Sequence, residues 1–196
     1  MARSPVESLA SASQEAGLLL AGVRDDQWDL PTPCADWSVR DVAEHLVGGT
    51  RRFARALREA SPAEPPAPAP PGPPADPAPG GLAAAYRESA ADLLAACAAA
   101  GALDRVVTVP FGQVPGVVAL HLRLVEALVH GWDVATATGQ VARFDDESVE
   151  RALDFSRAQL SRIPPGRRPF GPPQPVADDA PVLDRLVARL GRSVTG

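Results

Sequence analysis

Apolar residues recur at helical spacing in four long stretches of the chain. The first begins at Ser4-Pro5-Val6-Glu7, a capping box with proline at the first helical position, and predicts a helix over residues 5–24. A second capping sequence, Ser38 to Asp41, predicts a helix over residues 39–60. An alanine-rich stretch predicts a helix over residues 82–100, and the fourth and longest helix is predicted over 117–139, with Gly139 as its C-cap.

Shorter elements and two proline-rich segments separate or follow these helices. Residues 106–116 alternate and turn like a short extended segment or hairpin. One more helix is predicted over 145–160 and a short terminal helix over 181–190. Proline, alanine and glycine dominate residues 61–81, which predicts a polyproline-like connector, and residues 163–180 are predicted to form a proline-rich loop.

Length and composition favour one all-α domain over residues 1–196. The chain has 196 residues, 45% of them apolar and only 5% aromatic, and its Ala-Leu-Val content favours packed helices over sheets. Four main helices with a long second connection predict a four-helix bundle with a crossover between helices 2 and 3 and short C-terminal helices.

Charge and hydropathy limit the partners and the compartment. A net charge of −5 without a concentrated arginine run argues against nucleic-acid binding. The N-terminus lacks a signal-peptide core, and no apolar run approaches the roughly 20 residues of a membrane span. We therefore expect a cytoplasmic protein that binds neither nucleic acid nor membrane, with Cys34 and Cys97 as free thiols.

Glu126 and His130 are the strongest candidates for chemistry. They lie four residues apart in the fourth helix and therefore on one face, which is otherwise apolar. A carboxylate facing a core is costly unless a charge or a metal is close to it. His45, from the second helix, would complete a set of two imidazoles and one carboxylate that leaves a coordination position open, as catalytic zinc sites do. The alternative is a buried histidine beside a hydrogen-bonded Glu-His pair.

Three further polar residues have two interpretations each. Asp133 lies one turn beyond His130 and either orients its second ring nitrogen, or an arginine nearby, or serves the helix end. Asp41 precedes His45 by four residues and has the same two options, of which helix capping is favoured. His121, about 180° around the helix from His130, is predicted to lie at the surface or an interface.

The cysteines and tryptophans are interpreted mainly as packing residues. Cys34, in the loop before the second helix, is a thiol nucleophile, an extra soft ligand or, as we favour, a buried loop residue. Cys97 is predicted to lie in the core. Trp37 and Trp132 pack the helix ends or line the mouth of a pocket.

Two blocks of the sequence resemble one protein family. Residues 31–49, PTPCADWSVRDVAEHLVGG, and residues 128–139, LVHGWDVATATG, resemble the maleylpyruvate isomerase N-terminal, DinB-like family of metal-binding proteins. The tail resembles the same family at residues 168–171 and 184–192. Together these matches span nearly the whole chain apart from the proline-rich connector.

The resemblance implies a four-helix bundle that holds a divalent metal, zinc or nickel. Its ligand positions, one histidine of the second helix and a pair from the last bundle helix, fall on His45, Glu126 and His130. In relatives the metal activates the thiol of mycothiol, because a coordinated thiol loses its proton at neutral pH. The function implied is a mycothiol-type transferase or isomerase acting on a small molecule. We expect the chain not to carry the separate C-terminal domain of the full isomerase.

The alternative function is that of a non-catalytic metal-binding protein or a purely structural helical bundle. The sequence is compatible with a homodimer.

Overall fold

The computed structural model describes residues 3–59, 81–110, 112–159 and 170–194. It contains six α-helices within those residues, and they are α1 Pro5–Ala21, α2 Val39–Arg58, α3 Gly81–Ala98, α4 Gly116–Thr138, α5 Asp146–Ala158 and α6 Val182–Arg189. The predicted connector lies outside the described residues except for Gly81, as does the first part of the predicted loop, 163–169. The rest of that loop, residues 170–180, carries no helix or strand.

Helices α1 to α4 form the bundle and confirm the predicted all-α class. Helix α2 packs against α3 and α4, and α1 packs against the same two helices. Helices α5 and α6 pack on each other and against α4. Strands β1 Val106–Val109 and β2 Gly112–Pro115 form an antiparallel hairpin before α4, where the sequence predicted an extended segment or hairpin.

Both predicted capping boxes are formed. In α1 the Ser4 hydroxyl accepts the Glu7 amide (3.2 Å) while the Glu7 carboxylate accepts the Ser4 amide (2.6 Å). In α2 the Ser38 hydroxyl accepts the Asp41 amide (3.2 Å), and Asp41 accepts the Ser38 amide (2.9 Å). Asp41 is therefore a capping residue, which was the favoured of its two interpretations.

Helix α1 is shorter than predicted because of a contact from a distant residue. It ends at Ala21, with Gly22 as its C-cap, instead of continuing to residue 24. The Gln140 amide donates to the Leu19 carbonyl (3.0 Å), and a Cβ on Gly22 would lie 2.3 Å from Gln140 Oε1. The Gln140 side chain therefore occupies the space beside the last turn and adds a hydrogen bond to a carbonyl that also accepts the Gly22 amide (3.2 Å).

The bundle has two clusters of buried apolar side chains, and α4 contributes to both. Leu122 and Val129 belong to the larger cluster, and Val134 to the smaller one near the start of α2. Glu126 and His130 lie on α4 next to Val125, Ala127 and Val129 of the larger cluster, and one turn or more before Val134 of the smaller one. No described helix combines the length and apolar character needed to cross a bilayer.

Candidate metal centre

His45, Glu126 and His130 converge on one point between α2 and α4. His45 Nε2 lies 2.7 Å from Glu126 Oε2, and His130 Nε2 lies 3.3 Å from the same oxygen. One possible ligand atom from each of the three residues lies within 4.8 Å of the other two. The structure therefore brings the three residues predicted as ligands together, although they come from helices far apart in sequence.

The exposure of the three side chains increases from His130 through Glu126 to His45. The His130 side chain is 4% exposed, that of Glu126 is 16% exposed and that of His45 is 38% exposed. The site is therefore open on the His45 side and closed by the bundle behind His130.

Asp133 holds the far side of the His130 ring. Its Oδ2 lies 2.9 Å from His130 Nδ1, so Nδ1 donates to the carboxylate and Nε2 faces Glu126. Arg192, from the segment after α6, donates to both carboxylate oxygens through Nε (3.1 Å) and Nη2 (2.8 Å). Burial raises the pKa of Asp133, but hydrogen bonds and charges from His130 and Arg192 outweigh burial and keep it low. Asp133 therefore contacts both His130 and an arginine, and its role in orienting either of them stays a prediction.

Arg123 lies on the other side of Glu126. Its Nη1 is 3.8 Å from Glu126 Oε2, and its Nη2 donates to the Thr50 hydroxyl (3.0 Å). The guanidinium lies over the Phe53 ring and is only 3% exposed. Gly49 makes room for it, because a Cβ there would lie 2.6 Å from Arg123 Nη1.

These contacts set the ionisation of the site. Burial raises the pKa of Glu126, but hydrogen bonds from His130 and His45, with the charges of His130 and Arg123, hold it well below its usual range. Burial lowers the pKa of His130, and its contacts with Asp133 and Glu126 raise it by more. Glu126 is therefore a carboxylate at neutral pH, and its negative charge is one of the causes of the raised pKa of His130.

Trp37 forms one wall of the site. Its ring stacks on His130 at 5.7 Å between centroids and 15° between planes, and it is tilted against His45 at 4.7 Å. A turn places it there: its amide donates to the Cys34 carbonyl (3.0 Å), and Asp36 inside the turn has φ 67°. Asp tolerates this left-handed conformation better than most residues.

Cys34 lies beside the site and is half-buried, which the favoured interpretation as a buried loop residue did not anticipate. One ligand atom each of Cys34, His130 and Asp133 lie within 4.8 Å of one another, so these residues form a second group of potential metal ligands that shares His130. Burial raises the pKa of the Cys34 thiol, and the Arg192 charge opposes that effect.

The remaining predicted residues lie away from the site. Cys97 is buried in the core as predicted, and burial raises its pKa to about 11. Trp132 is partly buried against the larger cluster. His121 stacks on Phe155 of α5 at 5.1 Å, and its Nδ1 donates to the Val117 carbonyl (2.8 Å), so it lies between two helices of the chain.

The sequence analysis missed the two buried arginines. Arg123 had a local signal, since it precedes Glu126 by one helical turn on the same side of α4. Arg192 lies in the tail stretch 184–192 that resembles the family, but nothing in the sequence linked it to Asp133, which is 59 positions away and is reached only through the docking of α6.

Comparisons with known proteins identify the family of the chain. The family model described as the mycothiol maleylpyruvate isomerase N-terminal domain matches residues 9–135. Two proteins of Mycobacterium tuberculosis, from strains CDC 1551 and H37Rv, are each 38% identical over 192 residues, which cover 97% of this chain and 98% of theirs, and both are described only as uncharacterized. No solved structure matches. The fold, the match over residues 9–135 and the sequence blocks around His45 and His130 show that this chain belongs to the mycothiol maleylpyruvate isomerase N-terminal domain family.

Proposed function

We propose that this protein binds a divalent metal through His45, Glu126 and His130 and uses it to activate the thiol of a small-molecule cofactor, mycothiol or a thiol like it, in a transfer or isomerisation reaction. The observation that carries the proposal is the convergence of two Nε2 atoms, from α2 and α4, on one oxygen of Glu126. The family match supports the link to mycothiol.

The residues present fit a divalent ion. Two imidazoles and one carboxylate are a ligand set of catalytic zinc sites, in which a further position is left for water or substrate. His130 donates its other ring nitrogen to a carboxylate, as metal-bound histidines usually do. Imidazole and carboxylate ligands suit zinc, so we propose zinc, with nickel as the alternative outcome of metal analysis.

A bound divalent ion would lower the pKa of a coordinated thiol, so that the nucleophilic thiolate is present at neutral pH. The protein's own charges favour that anion. Glu126 is paired with Arg123, and Asp133 with Arg192, so these four residues together carry no net charge. An anionic ligand, such as a thiolate, would therefore balance the positive charge of a bound ion.

Access to the site and its walls fit a small molecule. His45 is the most exposed of the three ligands, so a cofactor reaches the site past its ring. Trp37 covers one side with an aromatic face that packs against both imidazoles and excludes water there. We place the activity in the cytoplasm, where a low-molecular-weight thiol and the free thiols Cys34 and Cys97 stay reduced.

Metal analysis of untagged protein tests the proposal. The wild type is expected to hold about one divalent ion per chain after zinc loading and dialysis, and His130→Ala is expected to hold none. His121→Ala is the matched control, because His121 lies on the same helix but stacks on Phe155. A wild type that keeps no ion, or a His121→Ala variant that loses it as His130→Ala does, would contradict the proposed site.

A cobalt-substituted protein tests the thiol step. Adding mycothiol is expected to change the visible spectrum of the cobalt protein, because a sulfur ligand would enter the open position. The same addition to His130→Ala serves as the control. An unchanged spectrum in a cobalt-loaded wild type would contradict thiol activation.

The second candidate function is metal binding without catalysis. The position of Cys34 favours it, because Cys34, His130 and Asp133 form a second group of possible ligands that could hold an ion through a protein sulfur. In that case the cobalt protein would show a sulfur-ligand spectrum before any thiol is added, and Cys34→Ser would abolish it. The same band in the Cys34→Ser variant would exclude this candidate.

A further inference from the structure

The C-terminal segment of the chain contributes a residue to the back of the candidate metal centre. Arg192 follows α6 and is 5% exposed, with its guanidinium against the fully buried Asp133. Two of its nitrogens contact the two oxygens of Asp133, at 3.1 and 2.8 Å, and Nη1 donates to the Leu190 carbonyl (2.9 Å). Such a two-point arginine–carboxylate contact fixes the orientation of both groups.

The backbone conformation next to Arg192 directs its side chain towards Asp133. Gly191 has φ 91°, a conformation that residues with a side chain rarely adopt. Its backbone packs against Gly171 so closely that a Cβ on Gly191 would lie 2.8 Å from the Gly171 Cα. The neighbouring Phe170 places its ring 5.8 Å from the Arg192 guanidinium carbon. The backbone thus packs closely where residues 170–171 meet residues 191–192, and this packing directs the Arg192 side chain inward.

One oxygen links Arg192 to the ligand. Asp133 Oδ2 accepts from Arg192 Nη2 at 2.8 Å and from His130 Nδ1 at 2.9 Å. The opposite nitrogen of that ring, Nε2, faces Glu126 and the candidate metal position. Without Arg192, the Asp133 carboxylate would keep one partner and could rotate away from Nδ1, and the His130 ring would lose its fixed direction.

We propose that Arg192 is a positioning residue of the metal centre, which acts through Asp133 on His130 and makes metal affinity depend on the C-terminal segment. This segment lies outside residues 9–135, the part that matches the family model. The inference rests on the proposed function, since it requires that His130 is a metal ligand. Loss of a hydrogen-bonding partner behind a metal-bound histidine typically lowers metal affinity by about ten- to a hundredfold.

Zinc affinity of the full chain, measured by competition with a chelating indicator, tests the inference. Arg192→Met is expected to raise the zinc Kd at least about tenfold. Arg192→Lys keeps the charge without the two-point contact and is expected to weaken binding less. The control is Arg189→Met, because Arg189 ties α6 to α5 by donating to the Ser156 carbonyl (3.3 Å). It is expected to lower thermal stability at unchanged zinc Kd.

A double-substitution cycle separates positioning from a general effect on the fold. If Arg192 acts through Asp133, adding Arg192→Met to Asp133→Asn should change the zinc Kd much less than it does in the wild-type background. Wild-type zinc affinity in a folded Met or Lys variant, or equal effects in both backgrounds, would overturn the inference. A wild type that binds no zinc would instead overturn the proposed function. If the Met variant does not fold, the Lys variant decides.

Discussion

Replacing Arg123 by methionine separates the charge that the protein keeps beside Glu126 from the charge that a bound metal would add. Arg123 is almost fully buried, and its Nη1 lies 3.8 Å from Glu126 Oε2, where the two Nε2 atoms also converge. Methionine retains much of the volume and the apolar contact with Phe53 while it removes the guanidinium. The variant therefore tests whether Arg123 and a metal compete for the same carboxylate.

The expected magnitude follows from opposing effects. At 3.8 Å and an effective dielectric constant of about 20, the attraction between Arg123 and Glu126 is about 4 kcal/mol. Against it stands the buried Arg123 Nε, which has no hydrogen-bond partner among the described residues, and such an unpaired group costs roughly 1–3 kcal/mol. The loss of the Thr50 hydrogen bond adds about 1 kcal/mol to the cost of the change. We expect Arg123→Met to destabilise the metal-free protein by about 2–4 kcal/mol.

Zinc should reduce that cost, because a divalent cation beside Glu126 repels Arg123. Urea unfolding with a chelator and with saturating zinc measures both states of the wild type and the variant. Zinc is expected to stabilise Arg123→Met by more than it stabilises the wild type. A variant that is less stabilised by zinc than the wild type would refute this reasoning and show that Arg123 supports metal binding.

Three further predictions concern other parts of the chain. A thiol reagent at pH 8 is expected to label Cys34 and to leave Cys97 unmodified until the protein unfolds, because burial raises the Cys97 pKa to about 11; equal rates in the native protein would contradict this. Ser38→Ala removes the cap of the helix that carries His45 and should cost about 1 kcal/mol in urea unfolding, as should Ser4→Ala in α1; an effect near zero at Ser38 would show that the cap is not needed. Zinc affinity should fall as the pH is lowered through the pKa of His130, which lies above its usual value, because the ion must displace the Nε2 proton; a pH-independent Kd between pH 6 and 8 would argue against His130 as a ligand.

Local signals in the sequence were sufficient for much of the fold. Capping boxes at Ser4 and Ser38 and the left-handed Gly139 determine three helix ends with contacts of a few residues, so a pattern over a short window predicts them. The predicted end of α1 was wrong. The helix ends beside the Gln140 side chain, and no local pattern connects Gln140 to Gly22.

The candidate site likewise contains some residues that local sequence patterns predicted and others that they did not. Glu126 and His130 share a face because of helical periodicity, and His45 joined them through its ligand type and the family resemblance. The contacts of Arg192 with Asp133 and of Trp37 with both imidazoles depend on how a tail and a loop dock onto the bundle. Periodicity carries no information about such docking.

The central claim is that one divalent ion lies between α2 and α4, on His45, Glu126 and His130. Anomalous diffraction from crystals of zinc-loaded protein, with data on both sides of the zinc absorption edge, tests it most directly. We predict a single strong peak bounded by the Nε2 atoms of the two histidines and the carboxylate of Glu126. A peak held by Cys34 and Asp133 instead, or no peak between the helices in protein with stoichiometric zinc, would contradict the account.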